Sequence, residues 1–220
     1  MGHSSVSDLT PGHTEIERKY IAPALKVLDD LEIMLVDRFR ARDLGCRDQV
    51  DIYYDTAEYD LCQRGASLRI RQRDGVHVVT IKTPTASRTS DGSMKRLEHE
   101  IVVPDTDLRH CRKLLMRLLP ELEQSFAALQ IALTVKNTRN TFLVTHGDAV
   151  LEVSLDSISY HLGELSGEEF EVELELRSDP STIAGLSEFG RTVEAEFPGL
   201  RLSHQSKYLR GLNMLGLRPY

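Results

Sequence analysis

Three segments of this chain alternate strictly between apolar side chains and charged or hydroxyl-bearing ones. They are Leu68-Arg69-Ile70-Arg71, Leu151-Glu152-Val153-Ser154-Leu155-Asp156 and Phe170-Glu171-Val172-Glu173-Leu174-Glu175-Leu176. A period of two marks a strand, whose successive side chains point to opposite faces. One face of each strand must be covered by apolar material, and the other must gather charge or meet solvent. Neighbours i and i+2 on one face stand roughly 6.8 Å apart, so two like charges repel by about 2.4 kcal/mol at an effective dielectric near 20. Glu171, Glu173 and Glu175 therefore need a counterion, whether metal, Lys/Arg or bulk water, and the natural complement of Arg69 and Arg71 is a polyanion. A closed antiparallel barrel with a charged lumen meets these demands and leaves no exposed edge. A sheet with one solvated charged face gives the same alternation, so the pattern alone leaves both open.

The charges are segregated along the chain. From Arg64 to Arg96 there are eight Lys or Arg against two Asp, and from Asp148 to Glu175 there are nine acids and no Lys or Arg. Alternation predicts strands at 14–21, 47–54, 66–73, 76–82, 95–103, 131–136, 139–145, 149–160 and 168–177, and helical periodicity predicts helices at 22–36, 107–119, 181–196 and 205–215. Asp74-Gly75 between two alternating runs signals a tight hairpin. Many antiparallel strands with a few helices make an α+β fold, read as one domain over 14–220 behind a disordered tail at 1–13.

At 220 residues the chain can bury a real core, and a net charge of -7 argues against a general nucleic-acid coat. No apolar run reaches the ~18 residues of a membrane span. The first 13 residues are polar and lack the apolar core of a signal peptide. Cys46, Cys62 and Cys111 lie far apart and form no C-x-x-C, so they are read as buried reduced thiols of a cytoplasmic protein. The histidines have no ligand spacing for zinc, and no Walker, G-x-G-x-x-G or G-x-S-x-G motif occurs. Tyr53 and Tyr54 are read as strand-packing aromatics rather than base-stacking ones.

An ordered series of short motifs carries more. Glu15-Ile16-Glu17-Arg18-Lys19 sets two carboxylates and an ammonium on one strand face. Asp51-Ile52-Tyr53-Tyr54-Asp55-Thr56, Ser67-Leu68-Arg69-Ile70-Arg71, Thr80-Ile81-Lys82-Thr83 and Arg96-Leu97-Glu98-His99-Glu100 follow. Then come Arg139, the strand ending in Asp156, the Glu171/Glu173/Glu175 strand and Ser206-Lys207-Tyr208. From Glu15 to about Leu212 this series resembles the CYTH superfamily, the triphosphate tunnel metalloenzymes, and within it the bacterial inorganic triphosphatases. The resemblance implies a closed antiparallel eight-stranded β-barrel with a charged lumen and flanking helices. It implies that Lys19, Arg69, Arg71, Lys82, Arg139 and Lys207 contact phosphate oxygens. Glu15, Glu17, Asp156, Glu173 and Glu175 would hold one or two metals, with Glu98 and Glu171 supporting. Glu17, Glu173, Lys19 and Arg71 would carry the catalysis. Whether Glu171/Glu173 or Glu173/Glu175 is the metal pair stays open.

These residue types suit that chemistry. Arg forks and Lys point charges offset the roughly four negative charges of a triphosphate. All-carboxylate ligation favours Mg²⁺ or Mn²⁺ over Zn²⁺. The expected activity is metal-dependent hydrolysis of inorganic triphosphate, or of a related small triphosphate such as ATP or thiamine triphosphate, favoured at neutral to alkaline pH. No nucleic-acid or membrane partner is expected, and the oligomeric state is open. The alternatives are a class IV adenylyl cyclase, a thiamine triphosphatase and a non-catalytic module that binds polyphosphate or nucleotide.

Overall fold

The computed structural model describes residues 12–85, 93–120, 123, 125–217 and 219. The expected tail lies outside them as far as residue 11, as do Arg88 and Asp91 of the basic half.

The described strands are β1 (His13–Ala22), β2 (Arg42–Asp55), β3 (Ser67–Arg73), β4 (Val76–Pro84), β5 (Met94–Val103), β6 (Gln130–His146), β7 (Ala149–Leu162), β8 (Leu165–Leu176) and the short β9 (Arg201–Ser203). They run in the order β5-β4-β3-β2-β6-β7-β8-β1, and β1 pairs back onto β5 at Glu15↔Arg96 and Glu17↔Met94. This closes an eight-stranded antiparallel barrel, the closed form of the two that alternation allows. β9 extends the sheet by pairing with β1 at Tyr20↔Leu202. The Asp74-Gly75 hairpin forms with both residues at positive φ, 52° and 75°, as a type I′ turn requires.

The helices are α1 (Leu25–Asp37), α2 (Asp60–Gln63), α3 (Arg112–Leu118), α4 (Ile183–Glu196) and α5 (Lys207–Met214). Four differences from the sequence reading have physical causes. His13, assigned to the tail, begins β1 and pairs with Glu98. Helix α1 starts later than 22, because Pro23 disfavours the helical conformation at Ala22, which stays in β1. The segments 131–136 and 139–145 are one strand, since Asn137 and Thr138 are paired on both edges, to β2 and to β7. Ladder pairing there overrides the turn preference of Asn. Asp107 caps a 3₁₀ turn, its carboxylate accepting from Arg109 N at 2.9 Å, and α3 begins only after that turn.

Three apolar clusters hold the barrel. Outward-facing Ile16, Tyr20, Leu151, Val153, Leu155, Val172 and Leu174 are covered by Leu31 and Leu35 of α1 and by Leu186, Phe189 and Val193 of α4. Leu68, Ile70, Val79, Ile81 and Ile101 are covered by Leu115 of α3 and Leu61 of α2. The third cluster fills one end of the barrel interior, where Tyr53, Leu133, Val135, Ile158 and Tyr160 meet Tyr208 and Leu212 of α5. Tyr53 and Tyr208 stack with centroids 4.9 Å apart, and Tyr208 donates to Asp55 at 3.0 Å.

Helix α5 lies so close to this floor that a Cβ on Gly211 would stand 2.4 Å from Tyr160 Cδ1 and 2.6 Å from Leu133 Cδ2. Gly211→Ala is therefore expected to cost about 1–3 kcal/mol through overpacking, beyond the roughly 1 kcal/mol that alanine gains in a helix. A urea titration checks it, with the unfolding midpoint falling.

Candidate active site

The end of the barrel left free by α5 holds a cavity of about 380 Å³. Its wall gathers Lys19, Arg47, Arg69, Arg71, Arg73, Lys82, Arg96, Arg139, Arg177 and Lys207 with Glu15, Glu98, Glu100, Glu152, Glu173 and Glu175. Strand parity delivers these side chains inward, and antiparallel register sets opposite charges side by side. Lys19 faces Glu173, Arg71 faces Asp51, Lys82 faces Glu98 and Arg139 faces Asp156, each pair directly across a ladder.

The contacts are tight. Arg139 is bidentate to Asp156 at 2.7 and 2.7 Å and also reaches Glu173. Lys207, presented by α5 just after the Ser206 cap, lies 2.7 Å from both Asp156 and Glu171. Lys19 is 2.7 Å from Glu17 and 3.2 Å from Glu173, and Lys82 is 2.7 Å from Glu15 and 3.2 Å from Glu98. Arg71 is bidentate to buried Asp51 at 2.7 and 2.8 Å, and Arg69 touches the same carboxylate at 3.3 Å while its Nε has no partner.

Among the described residues, two groups of carboxylates have ligand atoms within 4.8 Å of one another: Glu15, Glu17 and Glu173, and Asp156, Glu171 and Glu173. Glu173 belongs to both. Glu171 stands in the second group, backed by Arg210, which also bonds Glu169 at 2.8 Å. Glu175 sits opposite Glu17 and Glu152 and pairs with Arg177 at 2.8 Å. Glu98 contacts Lys82 and lies 3.8 Å from Arg69.

Glu17 decides whether a cation fits. It is fully buried, and the Lys19 ammonium 2.7 Å from it is shared with Glu173. Burial and then the neighbouring Glu15 raise its pKa well above the carboxylate range. Lys19 does not offset this burial and the repulsion among three carboxylates whose ligand atoms lie within 4.8 Å of one another, but an added cation would, and a hard-oxygen set of this kind suits Mg²⁺ or Mn²⁺. The residues present fit such an ion.

Neighbouring groups titrate in opposite directions. Burial alone would raise Glu15, but Lys82 and Lys19 overcome it and hold Glu15 at about 2. Asp156 is likewise held at about 2, Arg139 and Lys207 outweighing its burial. Burial pushes Glu175 up to about 8 against the pull of Arg177. The lowered acids contribute stability that is present above their unfolded values near 4 and lost as pH falls toward 2. Glu175 binds its proton more tightly folded than unfolded, so its contribution is present below about pH 4.5 and lost as pH rises through about 8. In EDTA the melting temperature is expected to be higher near pH 5 than near pH 8.5. Glu175→Gln should shrink that difference, and scanning calorimetry at the two pH values checks both.

Sequence parity alone had not singled out Asp51 or Arg210. Asp51 was visible only as part of a motif, and its function as the anchor of the arginine pair depends on the β2–β3 register. Tyr53 lines the cavity with one ring face covered by Tyr208, whereas Tyr54 points into the outer core and donates to Thr106 O at 3.0 Å. Cys62 and Cys111 are buried free thiols, each pushed up to about 12 by burial, whereas Cys46 is exposed on β2 and departs from the buried reading of all three. Among the described residues no helix is long and apolar enough to cross a membrane.

Solved structures with this architecture include a proposed adenylate cyclase from Bacillus halodurans, 18% identical, covering 91% of this chain and 98% of that one with a TM-score of 0.63. A proposed adenylyl cyclase from Hippeastrum, described as having a dominant triphosphatase activity, is 21% identical over 93% of this chain and 97% of its own, with a TM-score of 0.61. A proposed adenylate cyclase from Vibrio parahaemolyticus is 19% identical, covering 92% and 99%, with a TM-score of 0.53. At these identities the likeness is one of fold. No curated protein matches the chain. The CYTH domain matches residues 13–212, almost the whole barrel and its helices. The chain belongs to the CYTH domain family.

Proposed function

We propose that the protein is a metal-dependent triphosphatase that hydrolyses inorganic triphosphate or a similar small triphosphate. The observation that carries this reading is the meeting, in one cavity of about 380 Å³, of the cations Lys19, Arg69, Arg71, Lys82, Arg139 and Lys207 with Glu15 and Glu173, which form one carboxylate group with buried Glu17. A polyanion bound with a divalent cation satisfies both sets, whereas a bare anion adds negative charge beside the crowded Glu15, Glu17 and Glu173 and a bare cation leaves Arg69 Nε unpaired.

Arg69 and Arg71, fixed by Asp51, present guanidinium edges to phosphate oxygens. Lys82 and Lys207 supply point charges, and Arg139 and Lys19 flank the Glu173 carboxylate that both acidic groups share. Glu15, Glu17 and Glu173 would hold Mg²⁺ or Mn²⁺, with Asp156 and Glu171 available with Glu173 for a second ion. When bound, such an ion offsets phosphate charge and lowers the pKa of water. Glu175, opposite Glu17, stays a candidate contributor at the edge of the site.

The aromatic lining among the described residues is Tyr53, half covered by Tyr208, and His13, which favours a substrate without a base. Free buried thiols suit a reducing, cytoplasmic setting. The Hippeastrum relative, named as a cyclase yet described by its triphosphatase activity, is consistent with the same choice. The test is a product analysis with Mg²⁺ or Mn²⁺ on inorganic triphosphate, thiamine triphosphate and ATP. Orthophosphate released fastest from inorganic triphosphate supports the reading. Cyclic AMP and diphosphate from ATP would make the protein a cyclase, and tight binding without turnover would make it a sensor.

A further inference from the structure

Among the described residues, buried side-chain atoms without a hydrogen-bond partner occur at six positions, and five of these face the lumen: Glu17 and Glu171, each with a lysine ammonium 2.7 Å away, Arg69, Gln49 and Asn137. The first three carry charge and belong to the metal and phosphate groups above. The other two are neutral. Gln49 and Asn137 are each 3% exposed, and all four of their side-chain nitrogen and oxygen atoms are unpaired.

They are also partners. Gln49 faces Asn137 across the β2–β6 ladder, between Arg47↔Arg139 on one side and Asp51↔Val135 on the other. Gln49 lines the cavity. The pair thus stands where the charged lumen gives way to the apolar floor. Buried carboxamides left unpaired are costly, and a fold that keeps two side by side has a use for them.

Their chemistry restricts the occupant. Each amide offers an NH₂ that donates and a carbonyl that accepts. Phosphate oxygens only accept, so they would leave both carbonyls unmatched, and a metal ion would leave both NH₂ groups unmatched. Water both donates and accepts, and it needs several polar partners when buried.

We propose that Gln49 and Asn137 hold an ordered water at the inner end of the cavity and present it to the terminal phosphorus of bound triphosphate. The second half of this proposal rests on the triphosphatase reading. The water oxygen bonds to phosphorus as the bridging P–O bond breaks, and the electron pair leaves with diphosphate. Of the two water protons, one stays on orthophosphate and the other passes to diphosphate. Gln49 and Asn137 are positioning residues in this scheme, since they act through the water.

Near-isosteric Gln49→Met, Asn137→Leu and the double variant test the proposal in the full chain. Three quantities are read: the melting temperature in EDTA, kcat on inorganic triphosphate with Mg²⁺, and Kd for non-hydrolysable imidotriphosphate with Mg²⁺. Exchanging the amides and their water for apolar groups should leave the melting temperature level or higher. It should lower kcat about 100-fold, as misplacement of a reacting group does, with Kd held within about twofold. A fall in melting temperature of more than about 3 °C would mean that protein groups are the amides' partners and would overturn the water site. An unchanged kcat, or a Kd weakened in step with kcat, would overturn the positioning role. An inactive wild-type protein would sink the triphosphatase reading and with it the positioning role. The melting arm would still judge the water site by the same two outcomes.

Discussion

Glu173→Gln is expected to lower kcat for phosphate release by about 10³-fold while leaving the barrel folded. Glu173 is the carboxylate common to both acidic groups, and it lies directly across the ladder from Lys19. Glutamine keeps its size and removes its charge, so both candidate cation positions lose a ligand at once. The fold should tolerate the change because each basic neighbour keeps another partner: Lys19 keeps Glu17, Arg139 keeps Asp156, and Lys207 keeps Asp156 and Glu171. Steady-state kinetics alongside far-UV circular dichroism and Mn²⁺ titration checks both halves. A variant that turns over within a few-fold of wild type would remove Glu173 from the centre of the site.

Arg139→Met should destabilise the protein by about 3–5 kcal/mol at neutral pH, a large fraction of the stability of a domain this size. The guanidinium is bidentate to fully buried Asp156 and also reaches Glu173, so its loss leaves two carboxylates sharing Lys207 and Lys19. The pKa of Asp156, held at about 2 by Arg139 and Lys207 against its burial, should then rise. Much of the lost stability should return in Arg139→Met/Asp156→Leu, where an apolar pair replaces the ionic one. Urea unfolding of the two single variants and the double variant closes the cycle. A single-variant loss under about 1 kcal/mol would show that the pair is not the buried anchor described here.

These expectations rest on facts of unequal visibility in the sequence. Parity places Arg69 with Arg71, and Glu171 with Glu173 and Glu175, on one strand face without any knowledge of neighbours. The positive-φ turn at Asp74-Gly75 is equally local. Closure needed more, because alternation is the same in a barrel and in a half-solvated sheet, and only the β1–β5 ladder distinguishes them. The partner of each charge is likewise set by register. Glu171 and Glu175 are equivalent by parity, yet Glu171 faces Asp156 and Glu175 faces Glu152. The unpaired amides of Gln49 and Asn137 were invisible for the same reason, being 88 positions apart in sequence and adjacent only across β2 and β6. β9 is three residues long, too short for any periodicity to register.

On the proposed reading the lumen takes a triphosphate together with a divalent cation held by Glu15, Glu17 and Glu173. Its most direct test is orthophosphate release from inorganic triphosphate by the full chain with Mg²⁺, with EDTA, and in Glu17→Gln. Release is expected with Mg²⁺, none in EDTA, and a loss of about 10²–10³-fold in the variant. Release that persists in EDTA, or that Glu17→Gln leaves intact, would contradict it.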